Sequence, residues 1–382
     1  QDIIKPATAK TRGRYADLPE VVKTGAVGPA KSFGSHCWGA KWGLLVAALA
    51  DEADPDRHVW IDIFAVRQWP GNGAGADLCF DEVIRKCSSF VIACQAFATK
   101  KDNGITCLGN LTNQQTQARQ IHLLPKEVRC SIAFLRIWCL AEVMAAIDGE
   151  IAVVMKIGKM VPDKNKKGGI GFLGDYSMTQ AVANVIDIEQ AEAALVKDKE
   201  LILSKARQMK SKDGEEGGLF MINSKVKAAA WASMVCYDLP KVQAAACGDK
   251  ALAIDGAKQA HIDEWAMAAA GGGYHQLLQR LLDRGARAGV VVPGSVTAMT
   301  SAAYNGQLKS LQMLIKAPDG ARAAIDPDDD GDTAISMAAR GGCAPGVRFL
   351  IQQGADVSKP NKVGNTPLMR AGMASGDMAC GA

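Results

Sequence analysis

The stretch Thr333-Ala-Ile-Ser-Met-Ala-Ala339 decides the fold of the last third of the chain, because similar stretches recur at regular spacing. One starts 36 residues earlier at Thr297, one starts 33 residues later at Thr366, and a more divergent one starts at Glu264. In the stretches that start at Glu264, Thr297 and Thr333, an aliphatic pair begins eleven positions after the last alanine. These pairs are Leu281-Leu282, Leu314-Ile315 and Leu350-Ile351. Small alanines allow two antiparallel helices to pack closely, so the repeats predict a solenoid of helix pairs.

The repeat closely resembles the ankyrin repeat, in which T-P-L-H-x-A-A is followed by a glycine, an aliphatic pair and Gly-Ala. Gly285-Ala286 supplies the last of these signals. The spacing within each helix pair is constant, so the three additional residues of the longer period must lie between Ile315 and Thr333, in an exposed finger loop. Tyr237 to Val242 resembles the start of the second helix of an earlier, degenerate repeat. We therefore expect the array to occupy residues 226–382.

Upstream of the array, short apolar runs alternate with helical patterns, which is typical of a mostly parallel sheet with helices on both faces. Strands are predicted at residues 31–35, 58–66, 90–94 and 151–155. The run 58–66 is the clearest of them, because it is rich in branched and aromatic side chains. Helices are predicted at residues 42–50, 77–86 and 137–147.

The sequence also predicts how the chain is divided. A charged helix is expected from Asp187, with Gln190 at the spacing of a capping box, to about residue 210. The stretch 98–135 breaks the alternating pattern and is predicted to be an insertion. We expect four parts: an extended N-terminal arm at 1–30, an α/β domain at 31–160, a helical connector and linker at 161–225, and the array at 226–382.

The string Arg136-Ile-Trp-Cys-Leu-Ala-Glu-Val-Met144 resembles the W-C-x-x-E segment of TIR domains, which lies on a helix after the third strand. The resemblance covers roughly residues 31–158 and implies a flavodoxin-like fold. The insertion departs from the family, since TIR domains have only a short turn there. A TIR-like module followed by ankyrin repeats is also similar to multidomain proteins of microbial eukaryotes.

The resemblance implies a set of site residues. In TIR members that cleave NAD, the glutamate of this segment is catalytic, which makes Glu142 the catalytic candidate. The end of the first strand and the loop after the second border the nucleotide in those members, and they supply the substrate-binding candidates Ser35, Trp38, Arg67 and Trp69. A fixed carboxylate suits this chemistry, because nicotinamide leaves through an oxocarbenium-like state. In the alternative interpretation, Glu142 is a carboxylate on the helix surface paired with a nearby Arg or Lys.

Composition excludes several classes of protein and site. The net charge is only +4, from 44 basic and 40 acidic residues, which is too even to indicate a nucleic-acid partner. The longest apolar run, Trp42 to Ala50, is half a membrane span, so no transmembrane segment is expected. The 11 cysteines are an odd number without CxxC spacing, which favours reduced thiols and an intracellular location. Because the chain starts at Gln1, we expect the cytoplasm or an organelle reached after loss of an N-terminal targeting segment.

No metal or cofactor is expected, and NAD enters only as a substrate. Asp326 to Asp332 is similar to the first half of a calcium loop, but Met337 stands where the bidentate glutamate is required. The GxGxxG string Gly169 to Gly174 starts too far beyond its strand to meet a phosphate, and we predict a loop there.

Three functions are compatible with the sequence. The first is an intracellular interaction or scaffold protein that binds a protein partner through the array. The second is an NAD glycohydrolase with Glu142 as its catalytic residue, in which the TIR-like domain associates with a second copy. The third is an accessory structural subunit of a larger assembly. Whether the chain is an enzyme stays open at this level.

Overall fold

The computed structural model describes residues 4–12, 14–36, 41–65, 79–95, 133, 136–166, 168–175, 179, 189, 191, 193, 196–209, 218–232, 238–292 and 296–379. These residues form a five-stranded mixed sheet flanked by helices and an array of helix pairs. The predicted insertion at 98–135, apart from Ala133, lies outside the described residues. The predicted linker at 211–218, apart from Gly218, and the predicted helix start at Asp187 also lie outside them.

The sheet has the strand order β2-β1-β3-β4-β5. Its strands are β1 Ser32–Ser35, β2 Val59–Trp60, β3 Ser89–Gln95, β4 Ala152–Pro162 and β5 Ile170–Gly174. The first four are parallel, and β5 runs antiparallel to the end of β4. The prediction of a mostly parallel sheet is confirmed.

Helices cover both faces of this sheet, as the alternating pattern predicts. The helices of this part are α1 Ile4–Thr8, α2 Pro19–Val22, α3 Trp42–Ala50, α4 Asp62–Ala65, α5 Phe80–Lys86, α6 Ile137–Asp148 and α7 Val196–Gln208. Along β3, Phe90 and Ile92 share a buried cluster with α5 and α6, whereas Val91 and Ala93 share another with α3. Side chains alternate between the faces because the strand has a period of two residues. The predicted bounds of α3 are confirmed at both ends.

The strand predicted at 58–66 is largely wrong. Only Val59 and Trp60 pair, with Ser32 and Phe33 of β1, and α4 begins at Asp62. The Asp62 carboxylate accepts a hydrogen bond from the backbone N–H of the next residue at 2.6 Å. Side chains such as Asp that bond to nearby backbone groups favour helix starts over continued strand pairing. Because β2 lies at the edge of the sheet, few hydrogen bonds between strands are lost when the chain turns into α4 at Asp62.

Two further expectations need correction. The glycine string at 169–174 is predicted as a loop, but Ile170–Gly174 is β5. A Cβ on Gly158 of β4 would lie 2.2 Å from the carbonyl oxygen of Leu173, so only glycine permits the two strands to approach so closely here. The N-terminal arm is not extended throughout, because it contains α1, α2 and a 3-10 turn at Tyr15–Asp17.

The array consists of stacked helix pairs. Its helices are α8 Leu219–Ala232, α9 Leu239–Ala246, α10 Gln259–Gly272, α11 His275–Asp283, α12 Ala298–Tyr304, α13 Leu308–Leu314, α14 Gly320–Ala323, α15 Ala334–Arg340, α16 Ala344–Gln352 and α17 Pro367–Ala379. In successive repeats, the first helix of each pair packs against the first helix of the next; these helices are α10, α12, α15 and α17. The three additional residues do lie between Ile315 and Thr333, where they accommodate the short helix α14. The degenerate repeat is the pair α8 and α9, which packs on α10 and α11.

Buried threonines and leucines fix the repeat register. Thr297 forms a reciprocal capping box with Thr300, through hydrogen bonds of 3.0 and 2.9 Å. Three leucines, the first members of the aliphatic pairs, are fully buried: Leu281, Leu314 and Leu350. The second members of the pairs are less buried than the first, because adjacent helical residues point about 100° apart. Ile351 is 48% exposed.

The array is joined to the sheet through the open edge of β4. β5 pairs with β4 only from Gly158 onward, so no described strand covers the preceding residues on that side. Helices α8 and α9 pack there, and the side-chain amide of Gln243 on α9 donates a 2.8 Å hydrogen bond to the Met155 carbonyl. A side-chain donor thus replaces part of a strand partner at an edge that would otherwise be exposed.

Ion pairs and apolar contacts strengthen this junction. The buried Arg57 guanidinium, which follows α3, lies 2.7 Å from the carboxylate of Asp249, which follows α9. Apolar residues of α3, β3 and β4 belong to the same buried cluster as the array core. Within the region predicted as a connector, β5 lies in the sheet and α7 packs on α6. Helix α8, which continues beyond this region, also packs on α6. No helix in the described part of the chain has an apolar stretch long enough to cross a membrane.

Candidate functional site

The carboxyl ends of β1 and β2 meet the middle of α6 at four polar residues, Ser35, His36, Asp62 and Glu142, which we call the strand-end site. Ser35 is the last residue of β1, and its Oγ donates a 2.5 Å hydrogen bond to Glu142 Oε2. Asp62 is the first residue of α4, directly beyond β2. Its charge acts on both Glu142 and His36. Two residues far apart in sequence, Ser35 and Glu142, are therefore in contact.

The topology explains why these residues converge. From β1 the chain moves to β2 on one side and then to β3 on the other. Such a reversal opens a crevice at the carboxyl ends of the strands, where open α/β sheets bind ligands. Helix α6 packs on the sheet through Ile137, Leu140 and Val143, which are fully buried, and this places Glu142 at the helix flank beside Ser35.

Burial raises the pKa of Glu142 to about 8. The hydrogen bond from Ser35 favours the ionised form, whereas the negative charge of Asp62 disfavours it. Glu142 therefore holds a proton at pH 7 unless a cation is bound nearby. The alternative interpretation, a surface carboxylate paired with Arg or Lys, is not observed, since Glu142 has no such ion pair within the described ranges.

His36 adds a second titratable group to the site. Burial lowers its pKa, and Asp62 partly opposes that effect. The backbone carbonyl of His36 accepts a weak hydrogen bond from the Cys139 thiol on α6, with the two atoms 3.7 Å apart. This contact ties the end of β1 to the helix that carries Glu142. His36 and Glu142 are thus two titratable groups of one site, each influenced by the charge of Asp62 and each shifted by burial toward its neutral form.

Aromatic side chains form one wall of the site. The ring of Trp42 lies edge-on to His36 at 6.0 Å and to Phe64 at 5.2 Å between centroids, and Tyr15 packs on Phe64 at 5.5 Å. Trp42 is 37% exposed, so part of its ring faces solvent. Aromatic rings of this kind suit stacking on a planar ligand.

Of the predicted substrate-binding residues, the structure describes only Ser35. Ser35 lies in the site, whereas Trp38, Arg67 and Trp69 lie outside the described residues. Sequence reasoning did not select His36, Asp62 or Trp42. The available signal for Asp62 was its position as an acidic residue directly beyond a strand.

The fingers of the array form a second polar region. Asp328 accepts hydrogen bonds from the backbone N–H groups of Asp330 and Asp332, at 3.1 and 2.9 Å. Asn361, 33 residues later, accepts from Val363 and Asn365 at 3.2 and 2.9 Å. The two fingers therefore fold through the same buried turn, which fixes the shape of their exposed tips.

Buried charges link one repeat to the next. Asp332 pairs with Arg370 of the following repeat and accepts a hydrogen bond from Ser336 at 3.0 Å. Asp263 of α10 pairs with Arg287 at 2.6 Å. The acidic string similar to a calcium loop is thus a finger turn whose aspartates accept protein hydrogen bonds. Within the described ranges, no group of three or more His, Cys, Asp and Glu residues is arranged to hold a metal ion.

Comparison with known proteins identifies the array but not the sheet. Residues 265–361 match the family model of ankyrin repeats, with three copies. The match begins within α10 and ends in the finger before α17, so it omits the degenerate pair α8 and α9. A search of curated proteins finds no match to the chain. Ankyrin repeats support a role in protein interaction, and residues 265–361 of this chain are ankyrin repeats.

Proposed function

We propose that this chain is an interaction protein of the scaffold type, whose ankyrin fingers bind a protein partner while the α/β domain supports the array. The proposal rests on the contrast in burial between the turn residues of the fingers and an exposed finger tip. The turn residues Asp328 and Asn361 are buried and hydrogen-bonded, whereas the tip residue Val363 is 77% exposed. A rigid loop that presents an apolar tip loses little conformational entropy on binding.

The charge of the array favours a protein over a nucleic acid as this partner. Residues 250–382 contain 13 Lys and Arg against 12 Asp and Glu. Several of these charges are already used within the array, such as Asp332 with Arg370 and Lys362 with the Asp329 carbonyl. Such a balanced surface produces no field to attract phosphates.

A matched pair of surface variants tests the proposal. Val363→Asp places a charge on a finger tip, and Val196→Asp places the same charge on α7 at a position that is 75% exposed. In affinity capture from cell extract, the wild-type chain and Val196→Asp should retain the same partner, and Val363→Asp should lose it. Equal retention by both variants would contradict binding through the fingers. Point variants are preferable to deletion of the array, which would uncover the edge of β4.

A second function, cleavage of NAD, is supported by the hydrogen bond between Ser35 and Glu142. With β1 to β4 in the order 2-1-3-4, this site agrees with the resemblance to flavodoxin-like TIR domains. In the proposed reaction the bond between ribose and nicotinamide breaks, nicotinamide leaves with the bonding electrons, and water adds to the ribose carbon and releases a proton. The positive charge of bound NAD would favour the ionised form of Glu142, which stabilises the oxocarbenium-like state.

This function has its own test. Nicotinamide release by the wild-type chain is measured at high protein concentration and compared with that of Glu142→Gln. The control is Glu189→Gln, which changes an exposed carboxylate paired with Arg207. If NAD is cleaved, Glu142→Gln should lower turnover by about 10²–10³, as expected for the loss of one preorganised charge. Absence of activity in the wild type would leave the interaction role alone.

A further inference from the structure

The helix pair of α10 and α11 has a histidine where the next two helix pairs have apolar side chains. His275 follows the left-handed Gly273 by two positions and is the first residue of α11. In the next pair, Leu308 follows the left-handed Gly306 by two positions and is the first residue of α13. Ala344 is the first residue of α16 in the pair after that. An imidazole therefore occupies a place where the next two pairs have carbon side chains.

Both ring nitrogens of His275 are buried, and neither has a hydrogen-bond partner among the described residues. A neutral imidazole carries one N–H donor and one acceptor, whereas a protonated ring carries two donors. Buried polar groups in folded proteins are paired in the large majority of cases, and an unpaired one lowers stability. In the present packing, a second proton on His275 would therefore add an unpaired buried donor together with a charge.

Charges from three other elements act on His275. They belong to Lys225 of α8, Lys309 of α13 and Glu150, which follows α6. A Cβ on Gly273 would lie 2.9 Å from Lys225 Nζ, so this ammonium group lies against the turn before α11. Lys309 Nζ lies 2.5 Å from Glu150 Oε2. We call the imidazole, the two lysines and the glutamate the junction cluster. It contains two positive charges and one negative charge, so its balance already opposes a further proton.

These surroundings shift the titration of His275. Burial lowers its pKa from 6.5 to about 3, the charges of Lys225 and Lys309 contribute to this shift, and the charge of Glu150 opposes it. In the unfolded chain His275 regains its ordinary pKa, so between pH 3 and 6.5 the unfolded chain binds a proton that the folded chain does not. With respect to this group, the folded state is most stable above pH 6.5 and loses stability as the pH falls.

The junction cluster lies where the array meets the α/β domain. Glu150 follows α6 of that domain, and α8, which carries Lys225, packs on α6 and β4. We propose that the contact between the array and the α/β domain is acid-sensitive, with His275 as the group that takes up the proton. An imidazolium in the closed cluster would meet two ammonium groups and no acceptor, so it gains water only when the cluster opens. Opening separates Lys309 from Glu150, which joins the array to the end of α6.

Hydrogen exchange of the full chain, followed by mass spectrometry at pH 7 and pH 5, tests this proposal. The wild type is compared with His275→Leu at each pH, because the intrinsic pH dependence of exchange cancels in their ratio. In α11, α13 and the turn after α6, the exchange rate of the wild type relative to His275→Leu should rise on the order of tenfold from pH 7 to pH 5. The control His261→Leu changes an exposed histidine of α10 and should keep a constant ratio to the wild type.

A second variant, His275→Gln, keeps a polar side chain that does not titrate and should behave like His275→Leu. Circular dichroism at pH 7 checks that the variants are folded, and Leu308 at the same place in the next helix pair indicates that a leucine is accommodated. Two results would overturn the proposal. The first is a ratio of wild type to both His275 variants that does not change between pH 7 and pH 5. The second is a change confined to α15 and α16, which would place the acid-sensitive contact in the later repeats.

Discussion

Truncation of Leu314 probes the repeat register and the continuity of the core in one experiment. Leu314 is the last residue of α13 and is fully buried. Leu314→Ala removes three carbon atoms, worth roughly 2–2.5 kcal/mol at about 0.8 kcal/mol for each buried methylene. The cavity that remains raises the cost of such truncations to about 2–5 kcal/mol.

The surroundings of Leu314 favour the upper half of that range. A Cβ on Gly320, the first residue of α14, would lie 2.1 Å from the Leu314 carbonyl oxygen, so backbone already packs against this residue. Alanines such as Ala302 and Ala338 in the same cluster have no further side chain to move into the space. We therefore expect Leu314→Ala to lower the free energy of unfolding by about 3–5 kcal/mol.

Urea unfolding followed by circular dichroism and tryptophan fluorescence measures this effect. At an m-value near 3 kcal/mol per molar, the midpoint should fall by roughly 1–1.7 M. The control Leu201→Ala changes a half-exposed residue and should shift the midpoint much less. A shift for Leu314→Ala no larger than that of the control would refute the assigned register.

The form of the unfolding curve carries separate information. The array and the sheet share one buried cluster, which contains Leu45 and Val154 as well as Leu314. Both probes should then report one transition, because Trp265 lies in the array and Trp42 beside the sheet. Two separate transitions would show that the halves fold independently.

The remaining predictions concern the junction and the strand-end site. Arg57→Ala leaves Asp249 buried without its partner and should lower the free energy of unfolding by about 3–5 kcal/mol. Arg207→Ala removes one member of an exposed ion pair and should lower it by about 0–1 kcal/mol. Equal losses for the two variants in urea unfolding would contradict a stabilising role for the buried pair of Arg57 and Asp249. Glu142 has a pKa of about 8 in the folded chain against an ordinary value of 4.5. Between pH 4.5 and 8, Glu142 therefore holds a proton in the folded state that it has lost in the unfolded state. This difference stabilises the folded state at low pH, and its contribution to the free energy of unfolding disappears as the pH rises toward 8. Glu142→Gln should remove that part of the pH dependence, so melting profiles of wild type and variant that stay parallel from pH 5 to 8 would contradict the buried carboxyl.

Local signals made the array predictable from the sequence. The repeats that start at Thr297 and Thr333 each carry a capping threonine, an alanine pair and an aliphatic pair, and repeats of this kind pack mainly on their neighbours. The burial of Leu314 and the position of the three additional residues therefore follow from spacing alone. The bounds of α3 were predictable for the same reason, since an apolar run ends where Asp51 and Glu52 begin.

The errors arose where distant contacts decide the structure. The strand character of residues 61–65 is not realised, because β2 is an edge strand and Asp62 favours a helix start. Conversely, the glycine string becomes β5 because β4 extends far enough to pair with it. The contact of Ser35 with Glu142 was implied by a family resemblance, whereas the roles of His36 and Asp62 emerged only when the strands were placed side by side.

The central claim, that the array and not the strand-end site binds the protein partner, is tested most directly by titration calorimetry with the captured partner. Val363→Asp should weaken binding at least tenfold, or about 1.4 kcal/mol. Val196→Asp and Glu142→Gln should bind like the wild type, because neither changes a finger. Unchanged affinity for Val363→Asp together with weakened binding by Glu142→Gln would contradict the account and place the partner on the α/β domain.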